Sequence, residues 1–428
     1  MIRPDKRKLA HQQIFHLLII SIAFFIPVYG RILPFLIVLL ILNWLIEGNY
    51  IRTFPLIFKE RNRGVLASFL LLYLLYCLGL FHSSNMTYGW FDLEVKLSLF
   101  IFPLIFATSE PFFRERKKTT VILVSYIAGC LTTTMLLYGH SIYTMLSGQR
   151  ENTFFYTELS WFNHPSYLAM YLAFAIAILT FWLTEGYRMF NRYQISLTLI
   201  LIINFFIFIV LLNSKAGILS VVIVAVLQAH FLVVYRRNLI LGAGTLVITV
   251  SLFFLCFTLF PNSGERLKQA GMELQSGDAR DNDPKSTGER IAIWKSAVQI
   301  IRDHPVFGVG TGDVKDALME QYKANSQTKV LDQKLNAHNQ YIQTFISLGI
   351  IGIIALVYVL AYPAIRSFRQ EYYIYFIFLV IFSFNILVES MFEVQAGVIF
   401  YAAFNALLYA SCRPDPSGNP FDILVRKV

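Results

Sequence analysis

Five ionisable side chains lie beside long apolar runs, where a charged group is costly and needs a specific role. The chain has 428 residues, of which 56% are hydrophobic and only 14% charged, so such positions are few. Arginine and lysine suit the binding of an anion such as a phosphate, and histidine suits proton transfer near neutral pH. In chain order the five residues are Arg150, His164, Lys215, Arg290 and His338.

Lys215 belongs to a short polar segment, residues 213–217, that interrupts an apolar stretch from 194 to 234. A helical hairpin must turn there. The lysine is either a cation that faces a cavity and receives an anionic group, or a side chain at a tight turn that extends towards water.

Arg290 follows the sequence Ser286-Thr287-Gly288-Glu289, which matches a capping box and predicts a helix to about Arg302. The first turn of a helix favours anions, and an arginine there does not help the helix dipole. A guanidinium beside a helix N-terminus makes a phosphate clamp, the alternative being a solvated surface arginine.

Two histidines precede apolar helices. His338 is either a polar N-terminal residue or a base and hydrogen-bond donor at the membrane boundary. His164, before the helix-starting Pro165, either caps that helix or lines the same cavity, with Arg150 just upstream.

The apolar runs predict an all-α integral membrane protein with about 12 transmembrane helices, because a span needs roughly 20 apolar residues. The four cysteines show neither a disulfide pattern nor metal-ligand spacing. The sequence also contains no P-loop, no HExxH motif and no nucleophile elbow. The runs are 14–29, 32–47, 65–81, 93–108, 119–138, 165–184, 194–212, 216–234, 239–260, 339–362, 372–389 and 397–411.

The net charge of +10 follows the positive-inside rule rather than indicating a nucleic-acid surface. With the N-terminus inside, Lys and Arg cluster in the inside loops, near 52–63, 114–118, 188–192, 236–237 and 366–369. Both termini are then cytoplasmic. One membrane domain is predicted: helices 1–9 in residues 1–260, a large periplasmic loop at 261–338, and helices 10–12 with a cytoplasmic tail in residues 339–428.

The large loop is expected to be partly helical. Its first helix has an apolar face at helical spacing, formed by Ile291, Trp294, Val298 and Ile301. The glycines of residues 308–312 predict a flexible turn, and Asp313 is expected to cap a second helix to about Lys323.

Acidic residues give weaker signals. Asp92, Glu94 and Lys96 are candidates for a local charge network. Glu389 and Glu393, around the turn between the last two helices, are either cavity carboxylates or boundary residues.

Residues 288–352 resemble the O-antigen ligase/polymerase superfamily. The segment at 214–215 is similar to the Ser-Arg turn of that superfamily, with lysine in place of arginine, which keeps the charge but loses the planar fork. The motifs that carry the resemblance are Gly288-Glu289-Arg290, Trp294, His304-Pro305-Val306-Phe307-Gly308-Val309-Gly310, Ala337-His338-Asn339-Gln340-Tyr341 and Gly349-Ile350-Ile351-Gly352.

The resemblance implies a glycosyltransferase of the inner membrane that needs no metal and no cofactor. It would move a glycan from an undecaprenyl-diphosphate carrier to a lipid A-core or similar acceptor on the periplasmic side, with inversion. Arg290 and Lys215 would bind the donor diphosphate, and His338 would either deprotonate the acceptor or bind the diphosphate.

Two alternatives stay open. A polymerase of the same superfamily would join lipid-linked repeat units instead. A secondary transporter is a more remote possibility, because such folds bind substrate near the middle of the membrane, whereas the candidate residues here lie at its boundary. Membrane lipids and glycans are the expected partners, and nucleic acid is not.

Overall fold

The computed structural model of this protein describes residues 6–51, 53, 60–109, 116–148, 153–186, 190–259 and 287–411. Within these ranges every regular element is helical. Arg150, the predicted cap Ser286 and most of the first part of the large loop lie outside the described residues.

Seventeen α-helices are described, together with 3₁₀ turns at Gly30–Ile32 and Met391–Glu393. They are α1 (Lys6–Val28), α2 (Leu33–Glu47), α3 (Glu60–Leu80), α4 (Met86–Lys96), α5 (Ser98–Thr108), α6 (Arg116–Leu146), α7 (Tyr156–Leu159), α8 (Pro165–Gly186), α9 (Arg192–Leu211), α10 (Lys215–Val234), α11 (Leu239–Leu259), α12 (Thr287–Asp303), α13 (Val314–Ala324), α14 (Thr328–Asp332), α15 (Gln340–Arg369), α16 (Tyr373–Asn385) and α17 (Gln395–Ser411).

The protein is a multi-pass membrane protein. Of the described helices, eight are long and apolar enough to cross a membrane: α1, α2, α6, α8, α9, α10, α11 and α15. Each of the twelve predicted apolar runs contains a helix, and the fourth run divides at Leu97 into α4 and α5. The helical class is confirmed, while twelve complete crossings remain a prediction.

The centre of the bundle is packed with aromatic rings. Phe174 of α8 lies 5.0 Å from Phe378 of α16 and 5.2 Å from Phe404 of α17, measured between ring centroids. Lipid tails are as apolar as these side chains, so close packing rather than transfer from water holds the helices together. Tilted and edge-to-face ring pairs of this kind each contribute about 0.5–1.5 kcal/mol.

The face that helix α12 turns inward overlaps only in part with the predicted one. Its buried apolar residues are Ile293, Ala297 and Ile300. Of the predicted face, Trp294 and Ile301 pack half-buried beside them, whereas Val298 is 42% exposed. The reason is that α12 packs on its own neighbours, α13, α14 and the start of α15, and not flat on the bundle. The helix itself is where the sequence predicted it.

Residues 305–312, which we name the glycine segment, are not a flexible turn, because their backbone is hydrogen-bonded to α15. The α15 helix is broken at Gly349, and the carbonyls of Ile346 and Ser347 accept hydrogen bonds from Val309 (2.8 Å) and Gly310 (3.0 Å) instead. In return the Ile350 amide donates to the Pro305 carbonyl at 2.9 Å. Backbone groups freed by a break in an apolar helix must find such partners.

Asp313 stands at the N-cap position of α13, as predicted, but its carboxylate does not cap the helix. It accepts hydrogen bonds from the backbone amides of Ser84 and Asn85, both at 2.7 Å. These amides open α4, so Asp313 ties the glycine segment and α13 to the loop between α3 and α4.

The Gly349→Ala variant should be destabilised by about 1–3 kcal/mol or more. The backbone there has φ 64° and ψ −157°, which is essentially restricted to glycine, and an added Cβ would lie 2.2 Å from the Val306 carbonyl oxygen. Thermal unfolding of the detergent-purified protein measures the loss. Gly139→Ala, in α6 with open space around it, is the matched control and should not lower the unfolding temperature. Equal stability of the two variants would contradict the account of the glycine segment.

Candidate active site

The Glu389 carboxylate lies between Arg290 and His338. One of its oxygens is 3.1 Å from Arg290 Nη2 and the other is 3.0 Å from His338 Nδ1. The Glu389 side chain is 7% exposed, His338 15% and Arg290 25%. Two of the five residues predicted from the sequence therefore meet on one buried carboxylate.

Arg290 reaches this position because α12 begins at Thr287, which puts the arginine in its first turns. A guanidinium has five N–H donors in a planar fork. The bond to Glu389 occupies only part of this fork, so the partly exposed side of Arg290 can bind a further anion.

His338 has a left-handed backbone conformation, with φ 44°. The Asn336 side chain accepts a hydrogen bond from its amide at 3.0 Å, and Trp294 Nε1 donates to the neighbouring Ala337 carbonyl at 2.9 Å. The Ala337 amide in turn donates to Gln343 at 3.1 Å. A non-glycine residue in this conformation is costly, and such strain concentrates at functional sites.

Asn339 and Gln340 fix the turn that carries Glu389, residues 386–394, which we name the Glu389 turn. The Asn339 amide donates to Ser390 Oγ at 3.1 Å while its side chain caps α15. Gln340 donates its own amide to the Ile386 carbonyl at 2.8 Å and accepts from the Phe392 amide at 2.7 Å. The motif at 337–341 therefore places His338 and holds its partner carboxylate.

Glu389 stays ionised in this setting. Burial alone would raise its pKa, but the hydrogen bond from His338 and the charge of Arg290 outweigh this effect, and the pKa lies below its usual value. An ionised carboxylate only accepts hydrogen bonds, so Nδ1 of His338 must carry the proton. The other ring nitrogen, Nε2, is then available to a substrate.

His164 belongs to the same cluster. It is half-buried, its ring lies edge-on to Tyr167 at 5.5 Å between centroids, and its charge acts on Glu389. Its backbone carbonyl accepts hydrogen bonds from the Tyr167 and Leu168 amides at the start of α8, both at 3.1 Å, so the capping and the cavity-lining readings both stay predictions.

Lys215 is the exposed first residue of α10, after Ser214, whose side chain caps the helix by accepting from Gly217 at 3.2 Å. Helix α10 is joined to the end of α16 by a bond of 2.8 Å from Asn385 Nδ2 to Ser220 Oγ. Asn385 precedes Glu389 by four residues, and Lys215 precedes Ser220 by five. Lys215 and Glu389 therefore lie on the same side of the Asn385–Ser220 contact, at one end of the bundle.

Glu389 is the residue that sequence reasoning ranked too low. Its signal was a carboxylate between two strongly apolar runs, a position that requires a cationic partner. The partners cannot be identified from the neighbouring sequence, because Arg290 is 99 residues and His338 is 51 residues away along the chain.

Comparison with known proteins agrees with the resemblance found in the sequence. Residues 197–357 match the family model of the O-antigen ligases, which confirms the predicted superfamily. An uncharacterised protein of Haemophilus influenzae is 26% identical over 121 residues, which is 28% of this chain and 30% of that protein. The matched family stretch contains Lys215, Arg290 and His338 and ends before Glu389.

The Glu389→Gln variant should unfold at a lower temperature than the wild type at pH 7, with a loss of about 1–3 kcal/mol, because charge-assisted hydrogen bonds are lost. Since the pKa of Glu389 is depressed, its contribution is present above the ordinary carboxyl range and disappears as pH falls through the lowered value. Thermal unfolding of both proteins from pH 7 to pH 3 should show the difference begin to shrink below about pH 4.3, the ordinary carboxyl value, and fall further as pH drops through the lowered pKa of Glu389.

Glu320→Gln, which changes an exposed carboxylate of α13, should stay within about 0.5 kcal/mol of the wild type throughout. A Glu389→Gln variant as stable as wild type at pH 7 would mean that the carboxylate does not hold Arg290 and His338.

Proposed function

We propose that this chain, whose residues 197–357 form a domain of the O-antigen ligase superfamily, is a glycosyltransferase of the ligase type. It transfers a glycan from an undecaprenyl-diphosphate carrier to a lipid A-core or similar acceptor. The observation that carries the proposal is the pairing of Arg290 and His338 on the buried Glu389 carboxylate. We propose the periplasmic side of the inner membrane for this reaction, which the charge distribution of the loops in the sequence favours.

His338 is the proposed general base. Its Nδ1 proton is bonded to Glu389, so Nε2 has the free electron pair needed to accept a proton. A carboxylate in this place orients the imidazole and stabilises the cation that forms when the proton arrives. This arrangement favours the base over the diphosphate ligand, the two roles that the sequence left open for His338.

The proposed step balances as follows. The acceptor hydroxyl attacks the anomeric carbon of the donor glycan, and its proton moves to His338 Nε2. The bond between the anomeric carbon and the diphosphate oxygen breaks, and its electron pair leaves with undecaprenyl diphosphate. Attack from the face opposite the leaving group inverts the anomeric centre.

Charge that develops on the leaving diphosphate needs preorganised cations. Arg290 has N–H donors beyond those used by Glu389, and Lys215 lies exposed at the same end of the bundle. These two side chains take the role that a divalent cation plays in other diphosphate-cleaving enzymes, so the proposal needs no metal ion. His164 lines the cavity beside them.

The lipid tail of the donor explains why such a site would lie where apolar helices end. The start of α15 and the Glu389 turn border the membrane-length helix α15 and the shorter apolar helix α16, and the first turn of α12 is joined to them through Arg290. A donor can keep its polyprenyl chain among the helices while its diphosphate reaches Arg290.

Replacing Arg290 or His338 by Ala should lower glycan transfer by at least about 100-fold, because each change removes charge stabilisation or the proton acceptor. Glycolipid gels of a host that lacks its own copy measure transfer, and blotting of membranes measures the amount of protein. Matched controls are Arg302→Ala, at the exposed end of the same helix, and His304→Ala, an exposed histidine. Normal transfer in both site variants would refute the proposal.

Deletion of the gene in the native host should separate ligase from polymerase. The ligase proposal predicts long glycan chains that accumulate on the lipid carrier while the acceptor stays unmodified. A single repeat unit attached to the acceptor would instead identify a polymerase of the same superfamily.

A further inference from the structure

Lys96 is a fully buried cation that the proposed reaction does not use. Its side chain is 0% exposed, its ammonium lies 2.5 Å from Asp92 and 3.1 Å from Glu393, and it stands 4.7 Å above the centre of the Tyr76 ring. Glu94, which the sequence grouped with this network, is exposed instead. A buried ammonium is tolerated only where carboxylates or other polar groups satisfy it.

The two carboxylates that hold Lys96 belong to different parts of the fold. Asp92 lies on α4, one turn before Lys96 on the same helix. Glu393 lies in the Glu389 turn, 297 residues away. The bond to Asp92 is therefore local, whereas the bond to Glu393 connects α4 with the turn that carries Glu389.

Glu393 also contacts the motif that contains His338. Gln340 Nε2 lies 3.3 Å from the same Glu393 oxygen and 3.2 Å from Thr344 Oγ1, and Thr344 bonds to the Tyr76 hydroxyl at 3.1 Å. The Phe392 amide, next to Glu393, donates to Gln340 Oε1. Lys96 is thus connected through Glu393 to the side chain of Gln340, two residues after His338.

The Glu389 turn is held by hydrogen bonds at three positions along its length. Gln340 holds Ile386 at its beginning, Ser390 is held by the Asn339 amide in its middle, and Lys96 holds Glu393 near its end. The first two contacts come from the same chain segment as His338. Among the hydrogen bonds and ion pairs of the described residues, the Lys96 contact is the one that connects the turn to α4, an element separate from the segment that carries His338.

We propose that Lys96 is a positioning residue of the active site: its buried ammonium holds Glu393 and so fixes the turn that directs Glu389 onto His338. The effect on glycan transfer rests on the proposed function, but the effect on the turn does not. A displacement of Glu389 by about 1 Å would be enough to lower the rate about 100-fold.

Two variants, Glu393→Gln and Asp92→Asn, form a matched pair for this proposal. Each converts one carboxylate on the same ammonium into an amide, and each leaves Lys96 balanced by one remaining carboxylate. Glu393→Gln leaves Lys96 paired only with Asp92 of its own helix α4, whereas Asp92→Asn leaves it paired with Glu393 of the Glu389 turn. Lys96→Met is less informative, because it would leave two buried carboxylates without their cation and endanger folding.

Hydrogen–deuterium exchange gives a readout that needs no substrate. In Glu393→Gln, peptides covering 337–341 and 386–394 should exchange at least about tenfold faster than in wild type, whereas Asp92→Asn should leave them unchanged. Transfer kinetics in proteoliposomes with a lipid-linked glycan donor give the second readout. Glu393→Gln should lose at least about tenfold in kcat with KM within about threefold, and Asp92→Asn should keep both.

Equal exchange in the two variants would overturn the proposal, as would faster exchange of the turn with kcat unchanged. If the wild type transfers no glycan at all, the proposed function fails, and the exchange comparison still decides whether Lys96 holds the turn.

Discussion

The structure depends on one buried anion, the Glu389 carboxylate, and on the arginine and the histidine that make its burial possible. A carboxylate removed from water costs several kcal/mol unless cations and hydrogen-bond donors surround it. Arg290 and His338 supply both, and the pKa of Glu389 falls below its usual value as a result. Three separate segments, at 287–303, 336–340 and 386–394, are brought together by this requirement.

The same requirement explains why the described part of the polar loop, residues 287–338, is attached to the bundle at several points. Helix α12 must hold Arg290 in a fixed position relative to α15, although residues 304–339 separate the two helices along the chain. The glycine segment provides the connection, because its amides satisfy carbonyls that the break at Gly349 leaves open. Asp313 adds a second attachment by binding the amides at the start of α4.

Much of this could be predicted from the sequence. Apolar runs longer than a globular helix needs indicated the positions of the helices, and polar groups beside them indicated Arg290 and His338 as candidate site residues. Both signals are local, since they depend on composition and spacing over a few turns. The resemblance to the O-antigen ligases rested on motifs of the same local kind.

Three features depend on contacts between distant segments and escaped sequence reasoning. Glu389 has partners 51 and 99 residues away, so its role appears only in the fold. Periodicity placed α12 correctly but identified only part of its inward face, because α12 packs against short helices of its own loop rather than against a flat surface. Glycines at 308 and 310 predict flexibility in isolation, whereas here they allow close contact between backbones.

A structure of the purified protein with a lipid-linked glycan diphosphate bound would test the central claim most directly. The account predicts that the diphosphate oxygens lie within hydrogen-bond distance of the Arg290 guanidinium. It also predicts that His338 Nε2 faces the anomeric carbon, while Nδ1 stays on Glu389. A diphosphate bound elsewhere, or a His338 ring turned away from Glu389 in the complex, would contradict it.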